Sequence, residues 1–278
     1  MYKYQYYDVY AVIILLTALG IFEIIIGTYG HKSNRKKNDW FLEIVSSLQL
    51  FIIIKPIIFP LTAVVIFYLL PFNISIGKDS FNILIMLSIL IGDDFLQYWY
   101  HRMAHKWNWL WNLHKPHHTA EEMRVLVSYR NALLYYIFMP NIWLLGFVTH
   151  IGFYNEVVIS IIIKQIVVAA AHSSIKWDQI LYSYKLLNPF AYMIERLIST
   201  PSTHFSHHGK DESDEISNPN GNFSNLFFFW DIIFGTSLIT RKYPDEFGMK
   251  DDLKESWYYQ LYYPFIKQNQ IQKEFYFV

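Results

Sequence analysis

The chain has 278 residues, 53% of them hydrophobic and 17% charged, with a formal net charge of zero and no cysteine. Soluble domains carry roughly 25% charged residues, so this composition points away from them, and zero net charge lacks the basic footprint of a nucleic-acid binder. Without cysteine, disulfides, thiolate zinc sites and iron–sulfur clusters are excluded.

The first apolar run, Val9 to Tyr29, is long enough to cross a hydrocarbon core needing ~20 residues. It reads as a span and not as a cleavable signal peptide, since it is long and lacks a basic leader or a small-residue cleavage site. The stretch His31 to Asp39 carries Lys32, Arg35, Lys36 and Lys37, which the positive-inside rule assigns to the cytoplasm. Phe41 to Phe72 must then cross once, and Lys55-Pro56 predicts a break or an in-plane first half. Asn73 to Ser80 falls outside. Phe81 to Tyr100 returns to the cytoplasm and delivers His101 and His105 into the basic stretch Arg102 to Arg130. Ala132 to Thr149 and Phe153 to Ala171 are expected to form a hairpin that turns outside at His150–Gly152 and brings His172 back to the cytoplasmic side, where the chain stays to Val278. Four or five such runs exceed what one soluble core supplies, so the fold class is an all-α integral membrane protein. Leu181 to Ile198, interrupted by Asn188-Pro189, and Phe223 to Ile239, which holds Asp231 and Gly235, read as interfacial segments. Trp107, Trp109 and Trp111 fit an aromatic belt at headgroup level. Gly209 to Gly221 is polar and turn-rich and reads as a surface excursion, with a lid as the alternative.

Nine of the eleven histidines fall in four places: His101 and His105; His114, His117 and His118; His172; and His204, His207 and His208. Spacings of three and four put side chains on one helix face, and the pattern His-x-x-His-His occurs twice. The charge rule places all four groups on one membrane face without reference to the histidines. Neutral imidazole suits zinc, copper, iron and nickel, and nine such ligands exceed the four that one structural zinc uses, so at least two metals are implied. Pro116 and Pro201 are expected in first helical turns, with Thr200 as a cap for the second. Asp94, two turns before His101, is a candidate partner for a ligand imidazole, and Asp93 beside it marks either function or the interface. Asp231 amid Phe227–Trp230 calls for a histidine or arginine partner. Glu23 and Lys164, alone in apolar runs, are expected to snorkel or face neighbouring helices.

The stretches DFLQYWYHRMAH (Asp94–His105), LWNLHKPHH (Leu110–His118), AHSS (Ala171–Ser174), TPSTHFSHH (Thr200–His208) and NLFFFWDIIFGT (Asn225–Thr236) together resemble the fatty acid hydroxylase/sterol desaturase superfamily. The resemblance implies about four transmembrane helices plus interfacial helices, under a cytosolic histidine-rich helical cap holding a dimetal centre. By carry-over, His101, His105, His114, His117, His118, His172, His204, His207 and His208 would hold two iron ions. The protein would use O₂ to hydroxylate or desaturate a membrane lipid of sterol, fatty acyl, ether lipid or carotenoid class, with electrons from NAD(P)H through a separate cytochrome b5 or ferredoxin-type carrier. Domain organisation on this reading is a membrane-spanning region over 1–90, the catalytic region over 91–240 and an interfacial tail over 241–278. Departures from the family pattern are Arg124 where Asn is common, Phe205-Ser206 where a basic residue is usual, and no tenth histidine at Val168 or Lys176. The competing chemistry is a zinc-dependent membrane hydrolase, with Glu121 or Glu122 as general base.

Overall fold

A computed structural model describes residues 37–69, 81–250 and 255–266, together with Ile14, Ala18 and Glu23. The first apolar run, apart from those three positions, and the loop 73–80 lie outside the described residues. Among the described residues the fold is helical, without a strand.

Among the described residues three helices are long and apolar enough to cross a membrane: Phe41–Leu69, Ile83–Lys106 and Tyr154–His172. The first is built from α1 (Lys37–Leu48), a π-helical segment (Gln49–Ile54) and α2 (Lys55–Leu69). The break expected at Lys55-Pro56 is absent. Pro56 cannot donate and its ring crowds the preceding turn, and the wider π turn accommodates it, the Lys55 N–H reaching Leu50 O instead of the usual fourth residue back.

The helix α3 (Ile83–Lys106) starts where the Asn82 side chain accepts the N–H groups of Leu84 at 2.9 Å and Ile85 at 3.3 Å. It stops at Trp107, whose extended backbone turns the chain at once into α4 (Asn108–His118). Pro116 therefore sits in the last turn of α4 and not in a first turn, because the helix begins eight residues before it at Asn108.

The run Ala132 to Thr149 departs from the single span expected of it. It divides into α5 (Leu133–Phe138) and α6 (Pro140–His150), separated by Met139 in an extended conformation. A proline pushes the residue before it out of the helical region, so Met139-Pro140 ends one helix and starts the next. The turn at His150–Gly152 is present, with Gly152 at φ 110°, which an L side chain would strain. Next, α7 (Tyr154–His172) runs parallel to α3. The Asn82 N–H donates to Glu156 Oε1 at 2.8 Å and Ser160 Oγ to Met86 O at 3.1 Å at their amino-terminal ends. Their carboxyl-terminal ends therefore emerge together.

Beyond lie α8 (Gln179–Ser183), α9 (Asn188–Leu197), α10 (Pro201–His208), α11 (Phe229–Ile233) and α12 (Trp257–Leu261). Outward faces are apolar: Leu84 is 70% exposed, Leu69 72% and, between α8 and α9, Leu186 85%. Phe190, Tyr192 and Met193 of α9 are exposed as well, beside Ile180 of α8. In water such contiguous apolar surface is unfavourable; against lipid it is satisfied, and α8 and α9 divide the stretch Leu181–Ile198 ahead of Asn188-Pro189.

Helices α2 and α6 pack at contact distance. A Cβ on Gly146 would lie 2.6 Å from Thr62 Oγ1. We expect Gly146→Ala to cost about 1–3 kcal/mol by overpacking and Thr62→Ala in the same chain to recover most of it. Thermal melting of both variants in detergent micelles reads the pair.

Candidate metal centre

The four histidine groups converge. Side-chain nitrogens of His101, His105, His114, His118 and His207 gather within 4.8 Å of one another, and those of His117, His172, His204 and His208 form a second such group. Helix geometry explains the division. On α4, His114 and His118 are one turn apart and share the first group, while His117 faces the second; on α10, His204 and His208 share the second group and His207 faces the first. Each His-x-x-His-His motif thus straddles both groups, and the recurrence of the pattern is the recurrence of that straddle. The first group also takes both histidines of α3, and the second takes His172 from the last residue of α7.

Each helix carries the means to hold its ligands. The Thr200 N–H donates to Thr203 Oγ1 at 3.0 Å in a capping box, with Pro201 in the first turn, as expected for α10. Five Nδ1 atoms find oxygens: His101 the Phe223 carbonyl at 2.6 Å, His114 Asn131 Oδ1 at 2.7 Å, His117 the Val127 carbonyl at 2.8 Å, His172 the Val168 carbonyl at 2.8 Å, and His207 the Gly221 carbonyl at 2.7 Å, whereas those of His204 and His208 are buried without a partner. A carbonyl only accepts, so Nδ1 carries the proton of His101 and of His207. Their Nε2 atoms are then both lone pairs, and they face each other at 3.0 Å. No hydrogen bond satisfies that pair; a cation does. Two nitrogens about 2.1 Å from one ion at right angles stand about 3 Å apart, the separation found here and, at 3.2 Å, between His114 Nε2 and His118 Nε2. In the first group His105 Nε2 is buried with no hydrogen-bond partner, while the ring bonds the Pro219 carbonyl. The donor set is all imidazole, which suits iron, zinc or copper. Burial, and then neighbouring imidazoles, hold His114, His117, His118, His204, His207 and His208 well below the usual histidine value, so the nitrogens stay free to ligate.

The two carboxylates act on backbone and not on imidazole. Asp94, fully buried, accepts the N–H groups of Leu226 at 3.2 Å and Phe227 at 2.8 Å, and its expected contact with His101 is not made. Asp231 accepts the N–H groups of Phe223 and Ser224, each at 2.8 Å, and the Thr236 hydroxyl at 2.5 Å; neither a histidine nor an arginine pairs with it. Both carboxylates fasten the 223–227 segment whose Phe223 carbonyl orients His101, so their effect on that ligand is one bond removed. Sequence reasoning missed Asn131, which orients His114, and Asn222, whose φ is 51° and whose side chain ties the loop to the Thr203 and Leu238 carbonyls. An Asn placed where the chain needs a positive φ is the only local signal of that turn. Glu23 faces its neighbours as expected, accepting the Ser173 hydroxyl at 2.7 Å and the Ser174 N–H at 2.8 Å just past His172. Lys164 does not snorkel: it forms a buried ion pair with Asp93 and lies 3.8 Å from Asp94.

A cavity of about 100 Å³ opens onto the site between α3, α6, α7 and the π-helical segment. Its walls include His101 and His114 of the first group and His117 and His172 of the second, so it reaches both. Leu50, Phe51, Met139, Ile142, Leu145, Ile161 and Val168 supply an apolar lining. Tyr135 closes one side, stacked on His114 at 4.9 Å.

Because Asp231 supports His101 only through the Phe223 carbonyl, Asp231→Ala should leave the helices in place and lower metal affinity about 10–100-fold, the usual cost of losing an outer partner. Metal retained after dialysis against graded chelator measures it. Gly221→Ala should act in the same direction, since a Cβ there would stand 2.4 Å from the Thr236 carbonyl oxygen and displace the carbonyl that orients His207.

Residues 86–236 match the family model described as Fatty acid hydroxylase. Among curated proteins, the alkylglycerol monooxygenase of Homo sapiens is 29% identical over 153 residues, covering 54% of this chain and 29% of the relative. That of Xenopus tropicalis is 29% identical over 153 residues, covering 52% and 29%, and that of Danio rerio 28% over 156 residues, with the same coverage. The match thus spans under a third of the length of these relatives. No solved structure matches the chain significantly.

Proposed function

The chain belongs to the fatty acid hydroxylase family, and from that premise we propose that it is a membrane-bound, O₂-dependent diiron oxidoreductase that hydroxylates a C–H bond of an ether lipid of the alkylglycerol kind. The observation that carries the reading is the division of nine imidazoles into two adjoining groups reached by one largely apolar cavity. His101, His105, His114, His118 and His207 would hold one iron, and His117, His172, His204 and His208 the other. Bound there, the pair would supply O₂ activation, in which one oxygen atom enters the lipid C–H bond and the other leaves as water, with two electrons from NAD(P)H through a separate carrier of cytochrome b5 or ferredoxin type and two protons from the medium.

The protein's own residues do the rest. The apolar wall of Leu50, Phe51, Ile142 and Leu145 admits an alkyl chain and keeps water out. Carbonyls of Phe223, Val127, Val168 and Gly221 fix the tautomer of four imidazoles, so that each Nε2 is free for metal without a proton to lose. Parallel α3 and α7 set the cavity within the bilayer and the histidines at its edge, on the cytoplasmic side by the charge rule. For the rival zinc hydrolase a general base must reach the metal, and the cavity is lined by neither Glu121 nor Glu122, the latter bonded to Arg124 at 2.9 Å.

Purified protein should carry close to two metal ions per chain and consume O₂ only with iron, a reductant and lipid present. Lipid turnover by a zinc-loaded, iron-free preparation under argon would overturn the reading. His172→Ala, which removes a nitrogen 2.8 Å from His204 Nε2, should drop the metal content toward one ion and abolish oxidation while the protein still inserts. His150→Ala, at the exposed end of α6, should leave both unchanged, as should His31→Ala. The chain has no cysteine, so single cysteines report topology without interference. One placed in the loop 211–215 should label from the cytoplasmic side and one in 73–80 from the other.

A further inference from the structure

The cavity has a polar patch that oxidation of a plain hydrocarbon does not require. Asp93, Gln97 and His101 lie at successive four-residue steps on one face of α3, and Lys164, Val168 and His172 at the same steps on α7; all six line the cavity. At 1.5 Å rise per residue, Asp93 and Lys164 stand roughly 12 Å below the histidines and Gln97 roughly 6 Å below. Because the two helices run parallel, Asp93 and Lys164 meet at one depth, as their ion pair records. Asn141, in the first turn of α6, closes the patch. Its Nδ2 donates to Asp93 Oδ1 at 2.9 Å and contacts Gln97 Oε1 at 3.4 Å. Two acceptors face that atom, which fixes the amide orientation. Asn141 Oδ1, the other end of the amide, is left buried without a hydrogen-bond partner, in a side chain 5% exposed that lines the cavity.

An orphaned buried acceptor is destabilising and is retained where a ligand satisfies it. We propose that Asn141 is a substrate-positioning residue: its Oδ1 accepts a hydrogen bond from a free hydroxyl of the lipid, one to two helical turns from the metal centre, and so sets which carbon reaches the histidines. The ligand class is a neutral lipid with at least one hydroxyl a few bonds from the oxidised carbon, with the alkyl chain along the apolar wall. This rests on the reading of the cavity as the lipid site. Asp93, already saturated by Lys164 and Asn141, holds the amide in register, and the Met139-Pro140 break is what starts α6 at the depth where Asn141 reaches it.

The test uses 1-O-hexadecylglycerol and hexadecyl propyl ether, which have the same length but differ in both hydroxyls. Each is titrated into the detergent-purified full chain and bound lipid is read by native mass spectrometry. Wild type should bind the diol at least about tenfold more tightly, as expected for a site built to hydrogen-bond a hydroxyl. Asn141→Leu should bring the two lipids within about twofold by weakening the diol alone, with metal content unchanged. Equal binding of the two lipids by wild type overturns the proposal, and this comparison needs no variant to fold. It is overturned equally if Asn141→Leu weakens both lipids alike, the signature of a merely structural role. Oxygen consumption separates the failures: a tenfold preference without oxidation leaves the hydroxyl site standing and removes the oxidoreductase reading.

Discussion

Nine imidazoles must sit together in a dry interior without being protonated, and the rest of the site depends on that constraint. Two positive charges 4 Å apart at an effective dielectric constant near 20 repel by about 4 kcal/mol, and each group here gathers four or five rings whose nitrogens lie within 4.8 Å. Neutral rings avoid that repulsion, and a ring is oriented when its proton has an oxygen to point at. The Phe223, Gly221, Val127 and Val168 carbonyls and the Asn131 amide provide one for five of the nine rings. Asp231 and Asp94 then hold the segment that carries Phe223. Removing any of these pieces frees an imidazole to rotate its lone pair away from the common point.

The same constraint accounts for the helix layout. Ligands one turn apart supply one group, and the odd member of each triplet supplies its neighbour, so α4 and α10 are shared between the two groups while α3 and α7 each commit to one. That arrangement locks the groups at a fixed separation with no residue bridging them. The parallel run of α3 and α7 also projects the site's geometry down into the apolar layer. Residues at four-residue steps below each ligand face the same cavity, and the Asp93–Lys164 pair ties the two helices at depth. A charge pair in such a place is tolerable because both members are satisfied, Asp93 additionally by Asn141.

Much of this was legible in residue order and some was not, for physical reasons. The convergence of the histidines was legible because helical periodicity is local, but the division of each triplet between two groups, which separates His114 from His117 and His204 from His207, was not. The cap at Thr200 is local in the same way. A break was expected from the proline rule at Lys55-Pro56, where the helix continues, and not at Met139-Pro140, where a helix ends. Surrounding residues absorbed Pro56 in a π turn, whereas Pro140 ended a helix, and local chemistry does not say which outcome packing selects. The partners of Asp94, Asp231 and Lys164 were not legible at all. Asp94 meets residues 132 and 133 positions further on, and no spacing rule reaches that far. Lys164 in an apolar run reads as snorkelling or facing a neighbouring helix, and only the packing of the second helix shows that it is the latter, with Asp93 as the partner.

The loop that reads as an ordinary surface excursion, Gly209 to Gly221, contributes no side chain to the metal ligands, yet the carbonyls of Pro219 and Gly221 orient His105 and His207. A backbone carbonyl is common to every amino acid. Positions of this loop whose side chains make no contact are therefore free to change identity, while its length and its path are constrained. Its contribution to the chemistry is written as a count of residues between two fixed points, so an insertion that looks harmless in composition would disable the centre, and a rewriting that keeps the count together with Gly209, Asn218 and Gly221 would not.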